Sequence, residues 1–457
     1  MALFRTFVFI IFLSAHSLAA YARAGSRASF DSGEIATQVD LAPQNPFQLE
    51  NLFSPQLKSS TFQKILKDPE HRVQAEAFRT IPKALRSRTL FWLKIYGLYS
   101  SQQFVLFDSE DPDLIYEVID LRPLAQEISH PVRYEWARSD KIESRIAEYH
   151  AAFKNLANSP QSRAHPKTPL EKKLVRLLLH SRKRSKLSIA EYHRQFRGQT
   201  GQRDQVLQGL NRAQPYWRWV EEILTQQGVP ADLAKIALVE SSFNTQAISR
   251  VGAQGVWQFM PDIAKHWLRL NDSAKIDERL SPLKSTLAAA RLLRHNRQLL
   301  GTWPLAITAF HSGTRPFIEH SRSKLQKMSL GKLFSSEPGA ARLGWAGRNY
   351  YCEFLAMNLA IHYQDWLYNV GDLKQNARDI RFLAIEHPMS LLQVSKQFHF
   401  KMSTLLALNP DIDSYNVLLP SNMLIAVPAK NTDLSDLLST HDEFAKSFFN
   451  PYWKEST

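Results

Sequence analysis

The sequence predicts a mainly α protein with two small β elements. Apolar residues recur with the spacing of amphipathic helices through most of the 457 residues. Proline and glycine mark where several of these segments begin and end. Strand-like runs are short and occur at residues 102–108, 114–121, 380–385 and 423–429. We therefore expect helical domains, one hairpin near the front of the chain and a small mixed module near its end.

The first 22 residues have the features of a secretory signal peptide. Arg5 precedes an apolar run at residues 7–13, and small residues lead to a cleavage site after Ala22. The run is too short to span a bilayer, although an uncleaved anchor is the alternative. The single cysteine, Cys352, lies far downstream, so no cysteine stands at the cleavage site to carry a lipid. We expect an exported protein of the periplasm or cell envelope, with Cys352 buried in a core.

Residues 23–195 form the predicted N-terminal region, which is mostly helical. Residues 23–57 are polar and predict a poorly ordered leader. Helical spacing follows at residues 62–99, and two strand-like runs separated by the turn-rich sequence SEDPD predict a β-hairpin. Residues 143–156 and 170–180 are again expected to be helical. This half carries no constellation of residues that suggests catalysis.

The formal net charge of +14 has to be explained by a partner of the protein or by the compartment in which it is found. Nucleic acid is not expected, because an exported protein rarely meets it. The charge instead indicates a weak, salt-sensitive contact with anionic envelope polymers or lipids, or a solvated surface without a specific role. The basic cluster RKRSK at residues 182–186 is interpreted as a solvated helix surface rather than a phosphate or lipid contact. The sequence leaves the oligomeric state open.

Glu240 is the leading candidate for chemistry. Residues 204–227 predict one helix, and Gly228 with Pro230 ends it and starts the next. On that next helix, one face carries Leu233, Ile236, Ala237 and Glu240. A carboxyl group on an apolar face near a helix C-terminus should have a raised pKa, which suits a general acid at neutral pH. The alternative is that Glu240 lies at the edge of the face and reaches water.

The loop after this helix contains RVGAQGVWQFMP, residues 250–261. Gly252 and Gly255 permit a tight turn. In the sequence from Trp257 to Met260, the side-chain amide of Gln258 is flanked by large apolar side chains, as in many ligand clefts. Further helices are expected at residues 264–270 and 285–300. Another runs from Pro304 to His311, and a long one covers residues 345–363.

Glu240-Ser241 and Gly252-x-x-Gly255-x-Trp257-Gln258-Phe259-Met260-Pro261 together resemble the signature of the soluble lytic transglycosylase domain, which has a lysozyme-like fold. Residues 196–372 are most similar to the membrane-bound lytic murein transglycosylase D branch. The resemblance implies Glu240 as the catalytic acid and base. It also implies substrate-binding roles for Ser249, Gln258, Met260, His311, Tyr350 and Tyr351. Trp257 is expected either in the wall of the site or in the core.

Two positions bear on how closely the chain follows this family. The family's Ala-Tyr-Asn-x-Gly segment is here Ala-Phe-His-Ser-Gly, so His311 stands where the family has asparagine. Imidazole can still bind a sugar, but it could lower activity or reshape the pH profile. The family also places a tyrosine two residues after an arginine, close to the catalytic glutamate. Arg348 and Tyr350 have that spacing, and Tyr351 is the alternative.

The reaction implied by the resemblance is cleavage of peptidoglycan strands without water, which leaves 1,6-anhydro-muramic ends. Neither a cofactor nor a metal is expected, because the 15 histidines show no paired ligand spacing. One alternative is a hydrolase of the same fold with a second carboxylate. The candidates for it near the motif are Asp262, Asp272, Asp277 and Glu278. The other alternative is a catalytically silent wall-binding protein.

Residues 373–430 predict a β-α-α-β module that resembles a LysM glycan-binding module. It lacks the usual Gly-Asp-Thr opening, so it could equally be a structural copy that binds no glycan. Residues 431–457 form a polar tail with an aromatic cluster.

Overall fold

The computed structural model describes residues 59–67, 78, 80–180, 187–273, 275–317, 330–335, 337–370 and 377–428. The expected signal peptide, the leader, the basic cluster at 182–186 and the tail lie outside these residues. The described part is predominantly helical with only small sheets, which confirms the mainly α class and is consistent with a lysozyme-like catalytic domain.

The N-terminal region consists of helices around a small sheet. Its helices in chain order are α1 (Ser59–Lys67), α2 (Arg86–Gly97), α3 (Arg122–Glu127), α4 (Pro131–Asn158), α5 (Pro160–Ala164), α6 (Pro169–His180) and α7 (Ile189–Gln195). The predicted hairpin is present as β1 (Gln103–Asp108) and β2 (Ile115–Asp120).

A third strand that the sequence did not suggest, β3 (Phe196–Thr200), pairs antiparallel with β1 and gives the sheet order β2-β1-β3. The central strand is buried on both faces. Val105 and Phe107 point into the largest core of the protein, whereas Phe104 and Leu106 pack in a second core with the α4 side chains. β3 opens the segment assigned to the catalytic domain, so the sheet crosses the predicted boundary at 195/196.

The central region runs from α8 to α16. Its helices are α8 (Arg203–Ala213), α9 (Trp217–Gln226), α10 (Ile236–Ser241), α11 (Pro261–Ala264), α12 (Pro282–Leu300), α13 (Trp303–Ser312), α14 (Leu330–Ser335), α15 (Glu337–His362) and α16 (Gln364–Leu367). Two short strands, β4 (Leu270–Asn271) and β5 (Ile276–Asp277), pair between α11 and α12.

Two helix predictions here need correction. The single helix expected at 204–227 is two helices, because Pro215 lies between α8 and α9 and cannot donate a helical hydrogen bond. The helix expected at 264–270 ends at Ala264 instead, and the chain continues through turns into β4. The long helix predicted at 345–363 is present as the part of α15 after Gly344, whose φ of 63° and ψ of −170° interrupt the helix.

The largest core joins the two regions rather than separating them. Side chains of α1, α2 and β1 share it with α9, α10, α12 and α15. Cys352 is buried in this core, as predicted. The N-terminal region therefore supports the helices that carry the candidate site.

The C-terminal module has the predicted β-α-α-β order: β6 (Ile380–Ala384), α17 (Leu391–Phe398), α18 (Met402–Leu408) and β7 (Leu424–Pro428). It is docked on the central region. The ammonium group of Lys284 in α12 lies 2.7 Å from the Asp411 carboxylate of the module and 3.2 Å from Glu278. All three side chains are buried. This triad fixes the orientation of the C-terminal module relative to the central region, because separating the partners would leave an uncompensated buried charge.

Within the described ranges, we find no helix that combines the length and the apolar character needed to cross a membrane.

Candidate functional site

Glu240 lies in the last turn of the short helix α10. Ile236, one turn earlier in α10, and Leu233, in the 3-10 turn Ala231–Lys235 that precedes it, are fully buried, and Glu240 itself is partly exposed. The helix ends at Ser242, which adopts a left-handed conformation with φ of 49°. The predicted stripe therefore anchors the helix in the core and leaves its terminal carboxyl group at the surface of the site.

The phenol of Tyr350 in α15 donates a hydrogen bond to Glu240 Oε1 at 2.5 Å. Burial raises the pKa of Glu240 from 4.5 to about 7, and this hydrogen bond works in the opposite direction. Burial and the neighbouring Glu240 charge raise the pKa of Tyr350 well above 10.0, so the phenol stays a donor. A carboxyl group with a pKa near neutrality can both give and take a proton at physiological pH.

Tyr351 lies elsewhere. Its ring stacks on Phe354 in the core, with 6.1 Å between ring centroids, and the side chain is buried. Of the two tyrosines that the sequence left open, Tyr350 is therefore the one placed at Glu240.

Glu353 is a second carboxyl group at this site that the sequence analysis missed. It follows Tyr350 by one helical turn and is partly exposed, and its carboxyl group is hydrogen-bonded to the Tyr96 phenol of α2. Burial raises the pKa of Glu353 to about 8, and the Glu240 charge adds to this rise. Glu353 lies far from the glycine-rich motif in the sequence. The i, i+3 spacing from Tyr350 was the signal that could have found it.

The four carboxylates considered from the sequence have other partners or surroundings. Asp277 binds the Arg279 guanidinium, and Glu278 accepts the backbone N–H of Arg269 and pairs with Lys284. Asp262 is exposed next to Lys265, and Asp272 is exposed in the turn between β4 and β5.

The glycine-rich loop is tied to the end of α10. Ser241 Oγ, directly after Glu240, donates to the Val256 carbonyl at 2.8 Å. Gly255 has φ of 78°, and a Cβ there would lie 1.8 Å from the Arg279 carbonyl oxygen, so only glycine fits. The guanidinium of Arg279 donates to Gly252 O, Phe259 O and Gln254 Oε1. These contacts hold the loop beside the candidate acid.

Three of the predicted substrate-binding residues belong to this loop. Ser249 Oγ accepts the Ala253 N–H at 2.9 Å, and its own proton can still be donated. The Gln258 amide nitrogen donates to the carbonyls of Ala247 and Gly255. These two hydrogen bonds fix the loop and occupy both N–H donors of the Gln258 side chain. Met260 is 39% exposed, which leaves an apolar surface for a ligand.

Trp257 belongs to the core. Its indole Nε1 donates to Thr286 Oγ1 at 2.9 Å, and its ring packs edge-on against Phe310. Of the two roles left open by the sequence, packing is the one that the structure supports.

His311 lies in the last turn of α13 and stacks on the Tyr350 ring, with centroids 4.6 Å apart. The residue as a whole is exposed. Desolvation of the imidazole lowers the pKa of His311 from 6.5, so neutral imidazole predominates at pH 7. His311, Tyr350 and Glu240 therefore form a continuous row of three side chains from three helices.

The site thus places a carboxyl group of near-neutral pKa beside a glycine-rich loop in a helical domain, an arrangement consistent with a lysozyme-like fold. Residues 219–329 match the family model described as the Transglycosylase SLT domain. The match includes Glu240, the loop and His311, whereas Tyr350 lies beyond its end.

Two kinds of curated relative are similar to the chain. Membrane-bound lytic murein transglycosylase D of Escherichia coli strain K12 is 25% identical over 229 residues, which are 49% of this chain and 48% of the relative. A transglycosylase of Enterobacteria phage PRD1 is 30% identical over 106 residues, or 23% of this chain and 37% of the relative. The chain thus spans about half the length of the first of these relatives.

Proposed function

We propose that this protein is a peptidoglycan lytic transglycosylase. It cleaves the β-1,4 bond between N-acetylmuramic acid and N-acetylglucosamine and leaves 1,6-anhydro-muramic ends. The observation that carries the proposal is the Glu240 carboxyl group, which has a pKa of about 7 and a phenol bound to it. The Transglycosylase SLT match at residues 219–329 and the lytic murein transglycosylase among the relatives support the same activity.

Glu240 acts first as an acid and then as a base. Its proton passes to the glycosidic oxygen as the bond from that oxygen to C1 of the muramic residue breaks. The carbonyl oxygen of the substrate's own acetamido group bonds to C1 and stabilises the cation. Ionised Glu240 then takes the proton of the 6-hydroxyl, whose oxygen attacks C1 and displaces the acetamido oxygen. No water is consumed, and Glu240 ends as it began.

The neighbouring side chains have supporting roles in this proposal. The Tyr350 hydrogen bond orients the carboxyl group and stabilises its ionised form between the two proton transfers. Ser249, Gln258, Met260 and His311 line the sugar site. With neutral imidazole, His311 can still give one hydrogen bond and accept another.

A muramidase-type hydrolase is the second candidate, because Glu353 supplies a second carboxyl group near Glu240. A hydrolase with two carboxyl groups needs the second one ionised, as base or nucleophile. The pKa of about 8 for Glu353 makes it an acid at pH 7, which favours the single-acid reaction. A silent wall-binding protein is the third reading, and the near-neutral pKa of Glu240 argues against it.

The deciding experiment is mass spectrometry of peptidoglycan digested with the full-length protein. Anhydro-muropeptides are the expected product. Products heavier by one water would establish the hydrolase, and an intact substrate would support the wall-binding reading. Glu240→Gln is the matched inactive variant because it keeps the size of the side chain. Continued cleavage by that variant would overturn the mechanism.

We also propose a location in the cell envelope, with peptidoglycan glycan strands as the partner. The expected signal peptide and the membrane-bound relative support this location. Whether the C-terminal module binds glycan stays a prediction, and binding of the isolated sugars to the full chain would test it.

A further inference from the structure

Helix α2 of the N-terminal region faces α15, the helix that carries Tyr350. Arg88, Trp92 and Tyr96 follow one another at intervals of four residues and so lie on one face of α2. Trp92 Nε1 donates to Asn349 Oδ1 at 3.2 Å, directly beside Tyr350 in the chain. Tyr96 binds Glu353, one turn further along α15. The N-terminal region thus contacts α15 on both sides of Tyr350.

The third contact is an ionic clamp on Arg348, formed by Glu110. Glu110 lies in the turn between β1 and β2, and its carboxylate accepts from both terminal nitrogens of Arg348 at 3.1 and 2.8 Å. Arg88 donates to the same carboxylate at 2.8 Å. The backbone N–H groups of Glu110 and Asp111 both donate to Asp108 Oδ1 at 2.9 Å, and these hydrogen bonds fix the turn that carries Glu110.

The clamp acts on the turn of α15 that precedes Tyr350. The straight part of this helix begins after the break at Gly344, and Arg348 Nε donates to the Gly344 carbonyl at 3.2 Å. Arg348 therefore links the helix start to the hairpin, two residues before the phenol that binds Glu240. A helix turn next to a break lacks some of the backbone hydrogen bonds of a continuous helix, so a side-chain contact from another element has a larger effect on its position.

The clamp is not part of the packed core. The Glu110 side chain is 32% exposed, against 14% for Arg348. Burial works against ionisation of Glu110, but Arg348 and Arg88 together hold its pKa below 4.5. Partly exposed pairs contribute little to stability. A bidentate arginine–carboxylate pair does, however, fix geometry.

We propose that Glu110 is a positioning residue for the cleavage reaction: through Arg348 it fixes the turn of α15 that presents Tyr350 to Glu240. The N-terminal hairpin is then a working part of the catalytic centre. This inference rests on the proposed transglycosylase function and assigns a role to a region outside the matched family domain.

The test compares Glu110→Gln with Asp120→Asn in the full-length protein. Asp120 ends β2 of the same hairpin, and its ion pair is with Arg122, the first residue of α3, rather than with α15. We expect Glu110→Gln to reduce kcat by about tenfold to a hundredfold with KM nearly unchanged, the scale of a small misplacement. The Tyr350 hydrogen bond lowers the pKa of Glu240, so weakening this bond should raise that pKa. The alkaline limb of the kcat profile of Glu110→Gln should therefore move to higher pH. Asp120→Asn should match the wild type in both respects.

A double-variant comparison separates positioning from general damage. If Glu110 acts through Arg348, adding Glu110→Gln to Arg348→Gln should cause almost no further loss of kcat. Multiplying losses would overturn the inference, as would a Glu110→Gln enzyme with wild-type kcat and pH profile. Thermal unfolding of each variant checks that the losses arise in folded protein.

A readout without turnover keeps this inference distinct from the proposed function. NMR titration of 13C-labelled glutamate carboxyl groups follows the pKa of Glu240 directly, with Glu240→Gln identifying the signal. A higher pKa in Glu110→Gln than in the wild type supports positioning even if no anhydro product forms. An unchanged pKa refutes positioning even if the wild type cleaves peptidoglycan.

Discussion

Replacing Glu240 with glutamine should stabilise the protein at neutral and alkaline pH. A carboxyl group whose pKa is raised in the folded state favours folding while protonated and opposes it once ionised. For Glu240 this favourable contribution is complete below 4.5 and is lost as pH rises to about 7. The shift corresponds to about 3 kcal/mol in the free energy of unfolding, as an upper estimate. Glutamine has no such loss, and its amide oxygen can still accept the Tyr350 bond.

The assay is urea unfolding of the wild type and Glu240→Gln at about pH 4 and about pH 8. The two proteins should have similar free energies of unfolding at the lower pH. At the higher pH, Glu240→Gln should be more stable by up to about 3 kcal/mol.

Glu117→Gln is a control of opposite sign. Burial opposes ionisation of Glu117, but bonds from Arg145, Tyr149 and Lys173 lower its pKa to about 2. Removing its charge should therefore destabilise the protein at neutral pH, and this difference should shrink only as pH falls toward 2. If Glu240→Gln showed no gain at alkaline pH relative to acid pH, the argument that desolvation raises the pKa of Glu240 would be refuted.

Three further outcomes test the site. Tyr350→Phe should lower kcat and move the alkaline limb of the pH profile upward, because the Tyr350 hydrogen bond lowers the pKa of Glu240 and its removal raises that pKa; an unshifted limb in kinetics across pH would contradict this role. Glu353→Gln should keep kcat within about threefold of the wild type, because a neutral amide replaces a neutral acid. A loss as large as that of Glu240→Gln, with hydrolytic products by mass spectrometry, would favour the two-carboxylate hydrolase. His311→Asn should retain more activity than the wild type in mildly acid solution, where imidazole gains a charge beside the acid; identical profiles would show that this charge has no effect.

Local patterns in the sequence were sufficient for many elements. Gly301 marked the C-terminal end of α12, Pro304 and Gly313 marked the ends of α13, and two strand-like runs around a turn-rich spacer marked β1 and β2. The stripe that ends in Glu240 also needs only helical periodicity. The β-α-α-β order of the C-terminal module followed in the same way. The sequence missed the break at Pro215, although a proline inside a helical pattern is itself a local signal.

Long-range contacts needed the tertiary structure. Tyr350 and Tyr351 have similar apolar partners at helical spacing, so only the rotation of α15 against α10 selects Tyr350. Glu353 lies more than a hundred residues from Glu240, and β3 pairs with a strand far from it in sequence.

The sequence by itself determined the helices, the acid at the end of one of them, and the loop with its obligatory glycine, because each depends on residues close together in the chain. Tertiary structure decided what surrounds that acid: Tyr350, Glu353, His311 and the hairpin that clamps Arg348. The pKa of a carboxyl group depends on neighbours in space and on exclusion of water, and neither is encoded by spacing along one helix.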